Sequence, residues 1–294
     1  MRYLSHDFAG AGRERGGKFG CRGVTVNKCS VALTGILLLS GLPGDTASVA
    51  ASPAQIKIVA TYDVALAGFS LGEFQLKARF EGPSYRMEGE GRFSLFLGRV
   101  YKSSGTVAST GRLKKLGPES VSFVVSYEGG GKEEERRISF KRGDVTDVKI
   151  VPPKTAGRKR VPVTQEQLED VVDPLSAVFL HAQAGESVCN HTVPIFDGRL
   201  RYDVAFAPKR IEALPDDAPR GLPRSVEVCA VKFVPVSGHK PDNPVIKYLS
   251  STDRMEAWLV RLPETDFYVP YWVGVPTVLG SAAVTLTKIE VNPK

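Results

Sequence analysis

Short apolar and polar alternations, punctuated by turn residues, run from Gln55 almost to the end of the chain and restrict it to an antiparallel β architecture. Ile56 to Leu66 is rich in β-branched and aromatic residues, Gly68 interrupts, and Phe69 to Phe80 resumes the pattern, which reads as a first hairpin. Gly82-Pro83 turns the chain into Tyr85 to Phe93, where Gly89 and Gly91 suggest bulges or tight curvature. Further strands are expected over Gly105 to Lys114, Ser120 to Tyr127, Arg136 to Lys141 and Val145 to Val151, divided by turns such as Gly129-Gly130-Gly131-Lys132 and Arg142-Gly143-Asp144. The regular spacing marks a meander.

One segment leaves this period. Thr164 with Gln167 three residues on forms a capping box, and Leu168, Val171, Val172, Leu175, Val178 and Phe179 follow at helical spacing. Pro174 should divide that helix, leaving a short turn to Val172 and a second helix from Pro174 to about Ala182, set against the concave side of the sheet. The β pattern returns at Val188 to Phe196, turns at Asp197-Gly198, and continues at Arg199 to Ala207, the strongest hairpin signal in the chain. A loop rich in Pro and Asp spans Leu214 to Pro223; strands resume at Arg224 to Val236, Met255 to Leu262 and Gly280 to Val291, with the aromatic stretch Phe267 to Trp272 between the last two. No linker or fixed repeat divides residues 51–294, and no β-α-β alternation suggests a doubly wound sheet. The expectation is one all-β, mainly antiparallel domain: a strongly curved, barrel-like or spiral sheet with one central helix segment.

The first 50 residues have a different character. Lys28 precedes an uncharged, largely apolar run from Cys29 to Leu42, followed by Pro43-Gly44 and small residues Ala47 to Ala51. This is the pattern of a cleaved signal peptide. The run is too short to span a bilayer and is broken by Thr34, Gly35 and Ser40, so no transmembrane helix is expected after cleavage. Residues 1–27 make the positive region unusually long, and a start near Val24 or Val26 would give an ordinary one. Cys21 and Cys29 both precede the apolar core, where a lipidated cysteine would follow it.

Removal of 50 residues from 294 leaves 244, enough for a core that needs no metal. Two cysteines remain, Cys189 and Cys229, an even number for an oxidising compartment, and a disulfide between them would close a loop of about forty residues worth about 3.5 to 4 kcal/mol. There is no C-x-x-C, and His181, His191 and His239 lack metal-ligand spacing, so no metal or cofactor is expected. The mature charge of 33 basic against 29 acidic residues is a mild excess, densest at Lys154, Arg158, Lys159 and Arg160, and does not point to nucleic acid.

Catalytic motifs are missing: no Gly-x-Ser-x-Gly, no Walker loop, no His-Glu-x-x-His. Asp173, before a proline, reads as a cap. The densest polar group is Asp197, Arg199, Arg201 and Tyr202; on a strand Arg199, Arg201 and Asp203 would share one face, a guanidinium pair able to grip phosphate or carboxylate, or simply a solvated face. Tyr271 and Trp272, in the aromatic stretch, would either pack in the core or line the mouth of a lipid cavity.

These motifs invite a comparison. Tyr62-Asp63-Val64 with Gly68 and Gly72, Asp173-Pro174-Leu175-Ser176-Ala177, Phe196-Asp197-Gly198-Arg199 with Tyr202, and Asp253 with Trp258-Leu259 resemble the pattern of the exported proteins grouped as domain of unknown function 3108, over about residues 56–291. The resemblance implies a periplasmic, barrel-like or spiral protein of Gram-negative bacteria and supplies no catalytic residue. A β-spiral group linked to cell-envelope homeostasis is similar in length, secretion and a single disulfide. Together these lead to an expected non-enzymatic envelope protein that binds a lipid, glycan or protein partner. The alternatives are an envelope-polymer hydrolase or transferase using Asp173 or Asp197, and a structural partner that caps another protein's sheet edge.

Overall fold

The computed structural model describes residues 55–96, 100–114, 117–153, 159–182, 186–263 and 265–292. The leader segment, the expected start site, and Lys154 and Arg158 of the basic cluster lie outside the described residues.

Among the described residues fourteen strands form one antiparallel sheet. They are β1 (Gln55–Leu66), β2 (Phe69–Glu81), β3 (Ser84–Phe96), β4 (Val100–Lys114), β5 (Gly117–Gly129), β6 (Lys132–Lys141), β7 (Asp144–Val151), β8 (Leu180–His181), β9 (His191–Phe196), β10 (Arg201–Ala213), β11 (Ser225–Ser237), β12 (Met255–Arg261), β13 (Phe267–Thr277) and β14 (Gly280–Val291). The ladder runs β7-β6-β5-β4-β3-β2-β1-β14-β13-β12-β11-β10-β9, so every neighbour is a sequence neighbour except β1 with β14. The sheet is strongly curved and does not close, leaving β7 and β9 as its two ends. The barrel-like, mainly antiparallel fold is the expected one. The strand register explains why: the alternating apolar residues Ile58, Ala60 and Tyr62 face Ala78, Leu76 and Phe74 across β1 and β2, and all of them belong to one interior cluster.

That interior gathers residues from both halves of the ladder, including Met87, Phe123 and Ile138 from one side and Val228, Val260 and Val269 from the other. Phe80, Tyr85, Phe179 and Phe267 form its aromatic centre, with Phe80 stacked on Phe267 at 4.6 Å. A second, smaller cluster joins Leu180, Val188, Cys189, Cys229, Ala257 and Leu259. Within it Cys189 and Cys229 lie at disulfide distance, with 2.02 Å between sulfurs and 5.3 Å between Cα atoms, as their number suggested. The strand β13 absorbs the aromatic stretch and exchanges partners along its length: Trp272 to Thr277 pair with β14, while Phe267 and Tyr268 pair with β8.

Three local expectations are corrected. Gly89 and Gly91 make no bulge, since β3 pairs with β2 and β4 without a register shift; a Cβ at Gly89 would instead sit 2.4 Å from the Phe74 ring. The helix expected over 164–182 is absent. Two 3-10 turns, Glu166–Leu168 and Ser176–Val178, stand there, and between them Val172 forms a single bridge with Ile195. The segment's backbone hydrogen bonds go to the sheet: Val171 N–H to the Gly143 carbonyl, Val172 N–H to the Pro194 carbonyl, and Phe196 N–H to the Val172 carbonyl. Val171, Leu175 and Phe179 still reach the interior, so the apolar spacing is met by a different backbone. Only half of the capping box forms, as Thr164 N–H donates to Gln167 Oε1 at 3.3 Å. The α-helix lies instead at α1 (Pro244–Ser251), where Asn243 Oδ1 accepts from Val245 and Ile246 N–H and Pro244 occupies the first turn. No helix among the described residues is long and apolar enough to cross a membrane.

Candidate functional site

Where the two ends of the open ladder come together, the turn between β9 and β10 meets β6. Asp197 Oδ1 accepts from the N–H groups of Arg199 and Leu200 at 2.8 and 2.7 Å, which ties off the turn. Its other oxygen lies 3.1 Å from Arg136 Nη1, and that same nitrogen donates to the Asp197 carbonyl at 2.8 Å. Glu134, whose side chain is 1% exposed, takes Arg199 Nη2 at 2.6 Å and Arg136 Nε at 3.1 Å. Two carboxylates and two guanidiniums thus alternate across the seam, a charge-balanced arrangement in a partly buried setting.

This geometry corrects the expected arginine pair. Arg199 precedes β10 rather than lying on it and turns toward β6, whereas Arg201 donates to the Gln167 carbonyl at 3.0 Å and to Asp203 Oδ1 at 2.5 Å. The two guanidiniums do not converge on a shared anion position, because each already faces a carboxylate. Tyr202 packs on Phe233 at 5.2 Å between ring centres, and burial, followed by the Asp197 charge, pushes its phenol above the ordinary value.

Deeper in the interior lies a polar cluster. Asp173, fully buried, accepts at Oδ2 from the hydroxyls of Ser109 (2.8 Å), Ser120 (2.6 Å) and Ser176 (2.5 Å), and at Oδ1 from Leu175 and Ser176 N–H (3.0 and 2.9 Å). Ser120 Oγ in turn accepts from Asp173 N–H at 3.0 Å. Tyr85 Oη sits 2.7 Å from Ser176 Oγ, and burial, with the Asp173 charge second, raises its phenol to about 12. The ring fits because position 111 is glycine: a Cβ there would lie 2.1 Å from the Tyr85 oxygen. The carboxylate accepts from backbone and hydroxyl donors of its own turn and from the Ser109 and Ser120 hydroxyls, so Asp173 fastens the Asp-Pro-Leu-Ser turn to β4 and β5.

The aromatic stretch divides in the same way. Tyr271 is buried in the interior cluster, while Trp272 is half-buried and lies edge-on to Trp258 at 5.9 Å. Arg210 stands 5.8 Å over the Trp258 ring and binds Glu256 through both terminal nitrogens at 3.1 and 3.2 Å. Hydrogen bonds from Arg210 hold the Glu256 carboxyl down at about 2. Gly274 leaves room for Trp272, whose ring would lie 2.0 Å from a Cβ at that position. Chemically this is an aromatic surface flanked by a fixed ion pair. Separately, a groove of about 750 Å³ is lined by Arg142, Asp170, His181, Glu186 and His191 among others. Burial lowers the affinity of His191 for its proton, and its ring stacks on Phe206 at 5.0 Å. No group of three metal-ligating side chains gathers among the described residues.

Of the residues singled out by the sequence, Asp197 and Arg199 meet at the seam, Arg201 turns to Gln167 and Asp203, Tyr202 packs on Phe233, Tyr271 enters the interior and Trp272 lies beside Trp258. Sequence reasoning missed Glu134 and Arg136, which sit in the charged run Glu133-Glu134-Glu135-Arg136-Arg137, just before and at the start of an expected strand, and read as solvent-facing. It also missed Ser109, Ser120, Arg210 and Glu256, whose proximity depends on strand pairings far apart in sequence.

No curated protein matches the chain. Among solved structures, a beta-barrel-like protein of domain of unknown function DUF1849 from Brucella abortus is similar in fold, with a TM-score of 0.50 and 12% identity over 83% of this chain and 100% of that one. The family model for the protein of unknown function DUF3108 matches residues 61–287, a span that takes in the Asp173 turn, the Asp197 seam and the Trp258 surface, and the chain therefore belongs to the DUF3108 family.

Proposed function

We propose that this protein is an exported, periplasmic envelope protein of a Gram-negative bacterium that works by binding a lipid, a glycan or another envelope protein, without catalysing a reaction. The observation that carries this reading is the state of its two most suggestive carboxylates. Asp173 and Asp197 each spend an oxygen on two backbone N–H groups of their own turn, and their remaining oxygens face serine hydroxyls and Arg136 respectively. A general acid or base needs a proton path to a substrate, and these groups are committed to holding turns. Export is supported by the leader pattern from Lys28 to Ala51 and by the pairing of the two remaining cysteines.

Native mass spectrometry of protein purified gently from the envelope, with organic extraction of whatever travels with it, tests the reading. The expected result is a reproducible non-covalent companion, either a small lipid or glycan mass or a stoichiometric protein. A polar side chain whose replacement abolishes the cellular role while fold and companion are retained would overturn it in favour of catalysis.

A further inference from the structure

Of the twelve large apolar side chains exposed among the described residues, Ile211, Val245 and five others stand singly on strands or on α1, and five gather at one end of the sheet. Phe69 (76% exposed), Val100 (58%), Tyr101 (40%), Val278 (84%) and Leu279 (62%) all belong to the tips of the hairpins β1–β2, β3–β4 and β13–β14. Strand direction alternates along the ladder, and the order β4-β3-β2-β1-β14-β13 is contiguous, so these three tips stand side by side on one rim of the sheet. The Ala67 N–H donates to the Ser281 carbonyl at 2.8 Å, which joins two of them directly.

Carboxylates stand back from the tips: the first on the β1–β2 hairpin are Asp63 and Glu73, which face each other across the two strands, and Ser70 Oγ donates to Asp63. Residues 64–72 and 274–287 carry no charge at all, and residues 93–103 carry only Arg99 and Lys102. On either side the pattern ends: Glu128, Lys132 and Glu133 flank the β5–β6 turn, and Asp242, Lys247 and Asp253 lie in the β11–β12 connection. Inside the β13–β14 turn the polar groups look inward, with Leu279 N–H donating to Thr277 Oγ1 at 3.2 Å and Thr277 Oγ1 donating to the Gly280 carbonyl at 2.6 Å. Such a turn presents Val278 and Leu279 outward while Thr277 satisfies two of its backbone groups, which lowers the cost of leaving water.

We propose that this rim docks on an anionic lipid bilayer, with the apolar tips entering the interface and Lys102 meeting the headgroups. A row of separate convex tips needs no fitted groove opposite it, and a fluid interface supplies none. Lys102, on a tip whose charges are all positive, complements anionic headgroups, and the exposed rings of Tyr101 and Phe69 suit the boundary. The inference rests on the reading of the chain as an envelope-binding protein and names one of its partners.

Flotation of the protein, purified in its native processed form, with vesicles of phosphatidylethanolamine and phosphatidylglycerol is the test. The wild-type chain is expected to float with these vesicles and much less with phosphatidylcholine. The double variant Phe69→Ser, Leu279→Ser should lower the bound fraction at least tenfold, Lys102→Glu about fivefold, and Ile211→Ser, an equally exposed site (74%) toward the other end of β10, should bind as wild type. Melting temperatures should agree among all four, since the changed side chains are solvent-facing. Wild-type protein that stays at the bottom of the gradient, or a tip variant that floats unchanged, overturns the proposal. So does a wild-type dimer that the tip variant converts to monomer without any vesicle binding, which would make the rim a contact between two copies. A glycan or protein companion found by mass spectrometry would survive any of these failures.

Discussion

Tyr85 reaches Ser176 because residue 111 has no side chain, and it is held there by a carboxylate that contacts three serines from three parts of the chain. A phenol so buried resists ionisation: its folded value is raised from 10.0 to about 12, chiefly by desolvation. Below pH 10 it is neutral whether folded or unfolded, and the stability linked to it is fully present. Between pH 10 and 12 the unfolded chain ionises and the folded one does not, so stability falls through that window by about 2 to 3 kcal/mol from this residue. Urea midpoints measured from pH 9 to 12 should therefore fall less steeply for Tyr85→Phe than for the wild type. Parallel slopes would mean that Tyr85 is accessible to water. Asp173 was legible in the sequence as a cap, and it is one; that it would also gather Ser109 and Ser120 was not, because strand register brings those residues to it from 64 and 53 positions away.

The 161–182 segment shows how an element can be read correctly in its pattern and wrongly in its backbone. Apolar residues at helical spacing did mark a buried stretch, but helix propensity is a weak prior when an open sheet edge offers partners for the same N–H and C=O groups. Val172 takes both its hydrogen bonds from the β9 edge, and a proline at 174 removes a donor that a helix would need. The hairpin turn Asp197-Gly198 was plain from its residues, yet the element it contacts, β6, lies 60 residues earlier. Glu134→Gln leaves two guanidiniums at the seam with a weakened acceptor and should cost about 3 kcal/mol, since one partner of a buried charge cluster is removed. Hydrogen exchange should quicken in β6, β7 and β9 and stay unchanged in β1 and β2. Equal quickening everywhere would deny the seam its local role.

At the scale of the molecule, one chain of neighbouring strands is pulled together by three fasteners: the seam, the bridging segment from 161 to 182, and the link between Cys189 and Cys229. The last closes a separation of 40 residues and should contribute about 3.5 to 4 kcal/mol. Cys189→Ser is accordingly expected to lower both the melting temperature and the yield under oxidising conditions, and an unchanged melting temperature would argue that the thiols are not joined. By itself, the sequence determined strand periodicity and the turns at glycine and aspartate, which depend on residues within a few positions of one another, and, through residue identity alone, the two cysteines after the leader and the family pattern. Only the tertiary structure decided that β1 lies beside β14, that Arg199 turns away from Arg201 to meet Glu134, that an apparent helix becomes an edge-bridging strap, and that three apolar tips share one rim. Those outcomes depend on which distant backbone groups and charges find each other in the curved sheet, and nothing in the spacing of neighbouring residues encodes that choice directly.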